Sequence, residues 1–212
     1  MGKAFFGLFL IFSISLQSQE NYPKDAFSPP LEIPLVLAGN FGELRSNHFH
    51  AGIDIKTQQR QGLPVNSIAD GTVVRIKVSH WGYGKVIYVA HPNGFTSVYG
   101  HLSKFSPTIE KYIKDLQYKK KSYEVEAFPD YGELKVQKGE LIAYSGDTGS
   151  SGGPHVHFEI RSTITEKPIN PLLFGFDVRD ATDPTVLELF GYPLSDDAEI
   201  NQSNDRTKIL FR

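Results

Sequence analysis

Gly153-Pro154-His155-Val156-His157-Phe158-Glu159-Ile160 alternates imidazole and apolar side chains with a period of two. On a strand that period sends His155 and His157 to one face and Val156, Phe158 and Ile160 to the other; on a helix the two imidazoles would diverge. The stretch is entered through residues 146–154, a loop rich in glycine and serine. It reads as a strand with one face made for a core and the other for chemistry.

Working outward, the neighbouring signals are also those of short strands. Residues 68–78 hold an Asp70-Gly71 turn followed by Val73, Val74 and Ile76, and residues 86–98 fold about Pro92-Asn93-Gly94. Residues 123–128 alternate, and 134–145 read as two further strands around Lys138-Gly139. The fold class is therefore mainly β, with a mostly antiparallel sheet. One helix interrupts it: Ile109, Tyr112, Ile113 and Leu116 recur at helical spacing after a Ser106 cap and Pro107 in the first turn. The Lys119-Lys120-Lys121 run then reads as a solvated last turn that complements the helix dipole.

At the amino end a short positive start, Met1 to Lys3, precedes an apolar run over 4–16 and the polar Gln17, Ser18, Gln19 and Glu20. That pattern is a secretory signal over residues 1–18. Its apolar run is shorter than the roughly 20 residues a permanent span needs, so no stable membrane span is expected once the signal is removed. Pro23, Pro29, Pro30 and Pro34 make 19–34 an extended lead-in, and the folded body is expected from near Leu35 to Phe176. Residues 177–212 read as a tail or as the opening strands of an incomplete second β domain.

Composition narrows the chemistry. The 212 residues are 40% hydrophobic with 19 glycines, ordinary for a globular chain. There are 22 basic and 24 acidic residues and no long basic block, which argues against a nucleic-acid partner. With no cysteine, disulfides, thiolate metal sites, a cysteine nucleophile and a lipid-modified cysteine are all excluded, and the seven histidines become conspicuous. In His50-Ala51-Gly52-Ile53-Asp54 a separation of four places imidazole and carboxylate on one side of either a helix or a strand. Joined with His157, the pair makes two imidazoles and one carboxylate, the count for a catalytic zinc site with an open position. Zinc in such a site lowers the pKa of water to about 7. His101, in Tyr99-Gly100-His101-Leu102-Ser103, is a candidate acid or base, with a loop or capping role as the bland reading. His48 reads as exposed or supporting, and His80 and His91 as structural.

Taken in order, His50-x-x-x-Asp54, Tyr99-Gly100-His101-Leu102, and Ser145-Gly146-Asp147-Thr148-Gly149 running into His155-Val156-His157-Phe158-Glu159-Ile160 resemble the lysostaphin-like, LytM-type zinc metallopeptidases that cut peptide bonds in bacterial peptidoglycan. The resemblance covers residues 35–176. It implies a small antiparallel β-sheet sandwich of the duplicated-hybrid-motif type, with the site in a groove between loops. It implies Zn2+ bound by His50, Asp54 and His157. His101 and His155 would flank the activated water, one helping to deprotonate it and both stabilising charge on the attacked carbonyl. The implied substrate is a peptidoglycan cross-link peptide, met outside the cytoplasm in periplasm or medium. Val156 replaces a commoner leucine on the face away from the metal. The segment over 106–138, helix included, exceeds the family's minimal core, so this insertion is expected to shape the groove or contact a partner.

Two rivals compete with an endopeptidase. Val65-x-x-Ile68-Ala69-Asp70-Gly71-x-Val73 and Val136-x-Lys138-Gly139-Glu140 also resemble phosphocarrier and lipoyl or biotinyl carrier domains. No lysine is presented as a carrier requires, and the export signal contradicts a cytoplasmic phosphocarrier. The other rival is a non-catalytic LytM-type regulator that activates another wall hydrolase. Such relatives lose metal ligands, whereas all three are present here with both assisting histidines.

Overall fold

The computed structural model describes residues 22–179, 189–192, 195, 197–199 and 207–209; the signal-like residues 1–18 and residues 180–188 of the tail lie outside the described residues. The apolar alternation forms β1 (Leu37–Gly39), β2 (Ile53–Lys56), β3 (Pro64–Asn66), β4 (Gly71–Val78), β5 (Lys85–Ala90), β6 (Phe95–Gly100) and β7 (Lys104–Phe105). After α1 (Pro107–Lys120) come β8 (Val125–Ala127), β9 (Lys135–Val136), β10 (Leu141–Tyr144), β11 (His155–Ser162) and β12 (Pro168–Ile169), then a 3-10 turn at Pro171–Phe174.

Every pairing between these strands is antiparallel. The larger sheet runs β1-β2-β11-β6-β5-β4-β8, with β12 on β11 and β9 on β4; β3-β10-β7 form the smaller one. The two strands expected around Lys138-Gly139 thus belong to different sheets. Gly139, at φ 79°, turns the chain between them, and its N–H donates to the Ser67 carbonyl.

The core lies between the sheets. Val156, Phe158 and Ile160 are fully buried, together with Tyr99, Ile87 and Ile76 of the large sheet and Val65, Ile142 and Phe105 of the small one. Each such side chain contributes about 1.5–3 kcal/mol by leaving water. In α1, Ile109 and Ile113 are buried while Tyr112 and Leu116 pack partly buried on the same core, as the spacing predicts. The expected Ser106 cap is only positional: its side chain makes no capping bond, and the Glu110 carboxylate instead accepts the Phe105 N–H at 3.1 Å. The helix ends at Lys121 in the left-handed conformation, with Lys119 and Lys120 exposed in the last turn.

Over its described residues, 22–34, the proline-bearing lead-in is irregular backbone, yet Phe27 and Leu31 between its prolines are buried in this core. Its Ser28 N–H donates to the Ile68 carbonyl, and its Pro30 carbonyl accepts from Asn66. Asp180–Arg212 form a separate compact unit, in which β13 (Leu189–Gly191) pairs antiparallel with β14 (Thr207–Ile209). Among the described residues no helix is long and apolar enough to cross a membrane.

His91 closes a buried polar chain. Its Nδ1 donates to the Asp70 carbonyl at 2.9 Å, and its Nε2 meets the Ser97 hydroxyl at 2.8 Å, itself bonded to the Tyr99 hydroxyl. Burial lowers the His91 pKa, against the opposing pull of the Asp70 carbonyl and charge. The unfolded chain therefore takes up this proton first as pH falls. Stability is untouched by His91 above about pH 6.5 and is lost as pH drops from there toward the folded pKa. We expect the metal-free protein's urea midpoint to fall less between about pH 7.5 and 5.5 in His91→Gln than in wild type; equal falls would exclude His91 as a contributor.

Candidate metal centre

The centre is a product of strand register. β11 lies between β2 and β6, and His157 is paired with Asp54 on one side and Gly100 on the other. Residues directly opposite in an antiparallel pair share a face, so Asp54 and His157 are neighbours by construction. His50 sits just ahead of β2, its N–H donating to the Glu43 carbonyl and its own carbonyl accepting from Gly42.

His50 Nδ1 donates to the Asn40 carbonyl at 2.8 Å, which turns Nε2 inward. His157 Nε2 donates to Glu159 Oε1 at 2.8 Å, which turns Nδ1 inward. These inward nitrogens lie 3.0 Å apart, and Asp54 Oδ1 is 3.1 Å from His50 Nε2 and 3.0 Å from His157 Nδ1. All three side chains are buried. With neutral rings, two unshared pairs and a carboxylate oxygen converge with no proton between them, an arrangement that a cation resolves. Ligand atoms of a tetrahedral site with bonds near 2.0–2.2 Å are about 3.4 Å apart, close to the spacing found. The donor set fits a divalent metal.

The carboxylate and the rings are held from outside. Burial alone would raise the Asp54 pKa, but wherever a ring nitrogen facing it carries a proton, bonds from His155, His157 and His50 keep it well below the usual carboxylate range. Asp54 Oδ2 accepts from Arg45 at 2.9 Å, leaving Oδ1 for the histidines. Glu159 is fully buried; His157, Arg161 and the Tyr83 hydroxyl all donate to it. Burial would push its carboxyl up, yet His157 and Arg161 hold it down at about 2. The Tyr83 ring also stacks on His157 at 4.7 Å.

His101 and His155 stand beside this cluster, their ring centres 4.6 Å apart. His101 has left-handed backbone, φ 57°, which turns the chain out of β6 beside the site. Its Nδ1 donates to the Thr148 carbonyl at 2.7 Å. Burial, with His155 and His157 nearby, lowers its pKa to about 4 despite that carbonyl. His155 Nδ1 donates to the Gly153 carbonyl at 2.8 Å, and Nε2 lies 3.5 Å from Asp54 Oδ1. Burial opposes its ionisation, but Asp54 and the Gly153 carbonyl raise its pKa. The five histidine and aspartate candidates thus line one open cleft, joined by Gly82, Tyr83, Ser150 and Gly152 from two facing loops. No residue of α1 lines it.

The remaining histidines lie apart. His48 is exposed at the cleft mouth, bonded to Asn47, and His80 is exposed against Tyr123 and Glu124. His91 belongs to the buried chain that runs through Ser97 to Tyr99.

The model for Peptidase family M23 matches residues 48–117 and 131–171, more than half of the chain. The chain belongs to peptidase family M23. It is 35% identical over 139 residues to DD-carboxypeptidase/endopeptidase Mpg of Neisseria meningitidis serogroup B, a match covering 66% of this chain and 26% of that protein. It is 30% identical over 111 residues to peptidoglycan DD-endopeptidase ShyA of Vibrio cholerae, covering 52% of this chain and 20% of that one. The matched region thus spans about a quarter or less of these relatives. The fold is that of the catalytic domain of the prophage-encoded M23 protein EnpA from Enterococcus faecalis, with a TM-score of 0.51 at 24% identity over 71% of this chain and 99% of that one. The M23 match skips residues 118–130, the end of α1 and all of β8.

Sequence reasoning missed Arg45, Tyr83 and Glu159 as parts of this M23 site. Glu159 was within reach, since it continues the period-two face of His155 and His157. Arg45 and Tyr83 carry no local pattern that points to Asp54 or His157.

Proposed function

We propose that this chain is an exported zinc-dependent endopeptidase that hydrolyses peptide cross-links in peptidoglycan. The observation that carries the reading is the convergence of His50 Nε2, His157 Nδ1 and Asp54 Oδ1, each fixed by an outer partner. Bound zinc supplies a Lewis acid and brings the pKa of water to about 7. His50, Asp54 and His157 hold the ion. His101, with Nδ1–H committed to Thr148, offers Nε2 as proton acceptor for the attacking water. His155, anchored through Nδ1 on Gly153, presents Nε2–H to the oxygen that gains charge on the attacked carbonyl. The wall substrate is supported by the endopeptidase names of the relatives, and export by the apolar run over 4–16.

Purified protein is expected to hold about one zinc per chain and to release new amino termini from cross-linked peptidoglycan. Lack of metal, or metal without cleavage, would overturn the enzyme. His101→Ala and His155→Ala are each expected to keep the metal while kcat falls ~10²–10⁴-fold. Metal loss in either variant would show that ligands and assisting groups are misassigned.

A further inference from the structure

The face of the large sheet that carries His157 continues beyond the metal centre. Register pairs Glu159 with Val98 and Arg161 with Thr96, then Tyr88 with Val98, Ala90 with Thr96 and Arg75 with Tyr88. Arg161, Thr96, Ala90, Tyr88 and Arg75 therefore share one face with His157 and Asp54. Arg161 lies four positions along the strand from His157, about 13 Å. There the face sinks into a second hollow of about 250 Å³.

The hollow has an apolar floor of Val74, Tyr88 and Ala90 and two guanidinium groups. Arg75 and Arg161 lie 4.8 and 5.8 Å from the centre of the Tyr88 ring. Each is pinned by a carboxylate: Arg161 donates through Nε to Glu159 Oε2 at 2.5 Å, and Arg75 through Nε to Glu126 Oε1 at 2.7 Å, with Nη2 also on Glu126. Pinning orients the forks in advance and leaves Arg75 Nη1 and both Arg161 Nη atoms without a hydrogen bond to the described residues. Phe128, 67% exposed, lies against the Arg75 guanidinium, and Glu166 stands at the rim. Glu126 and Phe128 both fall in residues 118–130, the stretch that the M23 match skips. Of the expected 106–138 insertion, Phe128 lines this hollow and no residue lines the metal cleft.

We propose that the hollow is a carboxylate-binding subsite, taking the free carboxylate of a short aliphatic peptide arm while the peptide crosses the metal centre. The apolar floor receives the aliphatic portion and the paired guanidinium forks receive the anion. The separation corresponds to about four residues of extended peptide. This assignment rests on the endopeptidase reading for its role in turnover, but binding is independent of catalysis.

The test has two arms. In the first, N-acetyl-alanyl-alanine and its C-terminal amide are titrated into the full-length, zinc-loaded protein while the arginine Nε–Hε NMR signals are followed. The acid is expected to shift the Arg75 and Arg161 signals in wild type, and the amide to leave them unmoved; shifts by both, or by neither, overturn the subsite. In the second, cross-linked stem peptides are compared before and after amidation of their free carboxylates. Wild type is expected to prefer the acid by ~10-fold in kcat/KM, and Arg75→Gln to lose that preference through KM with kcat retained. Phe128→Ser, which leaves the Arg75 pair intact, is expected to weaken the preference in part. Equal losses on both substrates would reduce Arg75 to a structural role and overturn the proposal. Acid-specific binding without cleavage would instead retain the subsite and remove the endopeptidase.

Discussion

His157→Ala is expected to empty the metal centre and reduce wall-peptide cleavage to background. The deleted ring is the hub of the site: Nδ1 meets His50 Nε2 and Asp54 Oδ1 at 3.0 Å, and Nε2 ties the cluster to Glu159. Loss of an outer partner of a ligand costs ~10–100-fold in metal affinity, so loss of the ligand itself is expected to exceed that range. The fold should survive, because Glu159 keeps its bonds from Arg161 and Tyr83 and the core face of β11 is untouched. Metal content by mass spectrometry, a circular dichroism spectrum and the release of amino termini measure the three parts separately. A folded variant that still holds zinc tightly would remove His157 from the ligand set.

The second large effect is structural. Gly52 lies midway between His50 and Asp54, where β2 begins against β11. A methyl group there would collide with the Phe158 carbonyl oxygen, and would stand 2.9 Å from the Phe158 carbonyl carbon and 2.8 Å from Glu159 Cγ. The obstacle is mostly backbone of a central strand, which cannot swing aside. Overpacking of this kind costs about 3 kcal/mol, which for a domain of this size lowers Tm by roughly 6–12 °C. Gly52→Ala is therefore expected to melt in that lower range and, by prising Asp54 from His157, to bind zinc more weakly. An unchanged Tm in calorimetry would mean that β2 shifts freely along β11.

The elements that were legible were those in which side-chain pattern and backbone state coincide. The alternation in His155-Val156-His157-Phe158 specifies both a strand and its two faces, and the structure buries Val156 and Phe158 completely. The helix followed from four apolar residues at one spacing. His50 and Asp54 could be joined because four residues apart is one-sided in either helix or strand. Phe27 and Leu31 fall in the lead-in, where the surrounding prolines forbid regular structure, yet irregular backbone still packs when Ser28 and the Pro30 carbonyl find partners on the body. Ser106 takes the N-cap position without a side-chain bond, while Glu110 reaches back to the same end of the helix. Arg45 and Tyr83 were hidden because their roles depend on tertiary neighbours. The left-handed turn at His101 was hidden because no residue type announces it.

The pairing of Asp54 with His157 joins residues separated by 103 positions. A nascent chain can therefore present His50 and Asp54 long before it owns the strand that completes them. Until β11 has been made and has slipped between β2 and β6, the precursor has no complete set of metal donors. The proposed centre is in this way tied to the making of β11, and a chain truncated anywhere before residue 157 lacks the donor that would complete it.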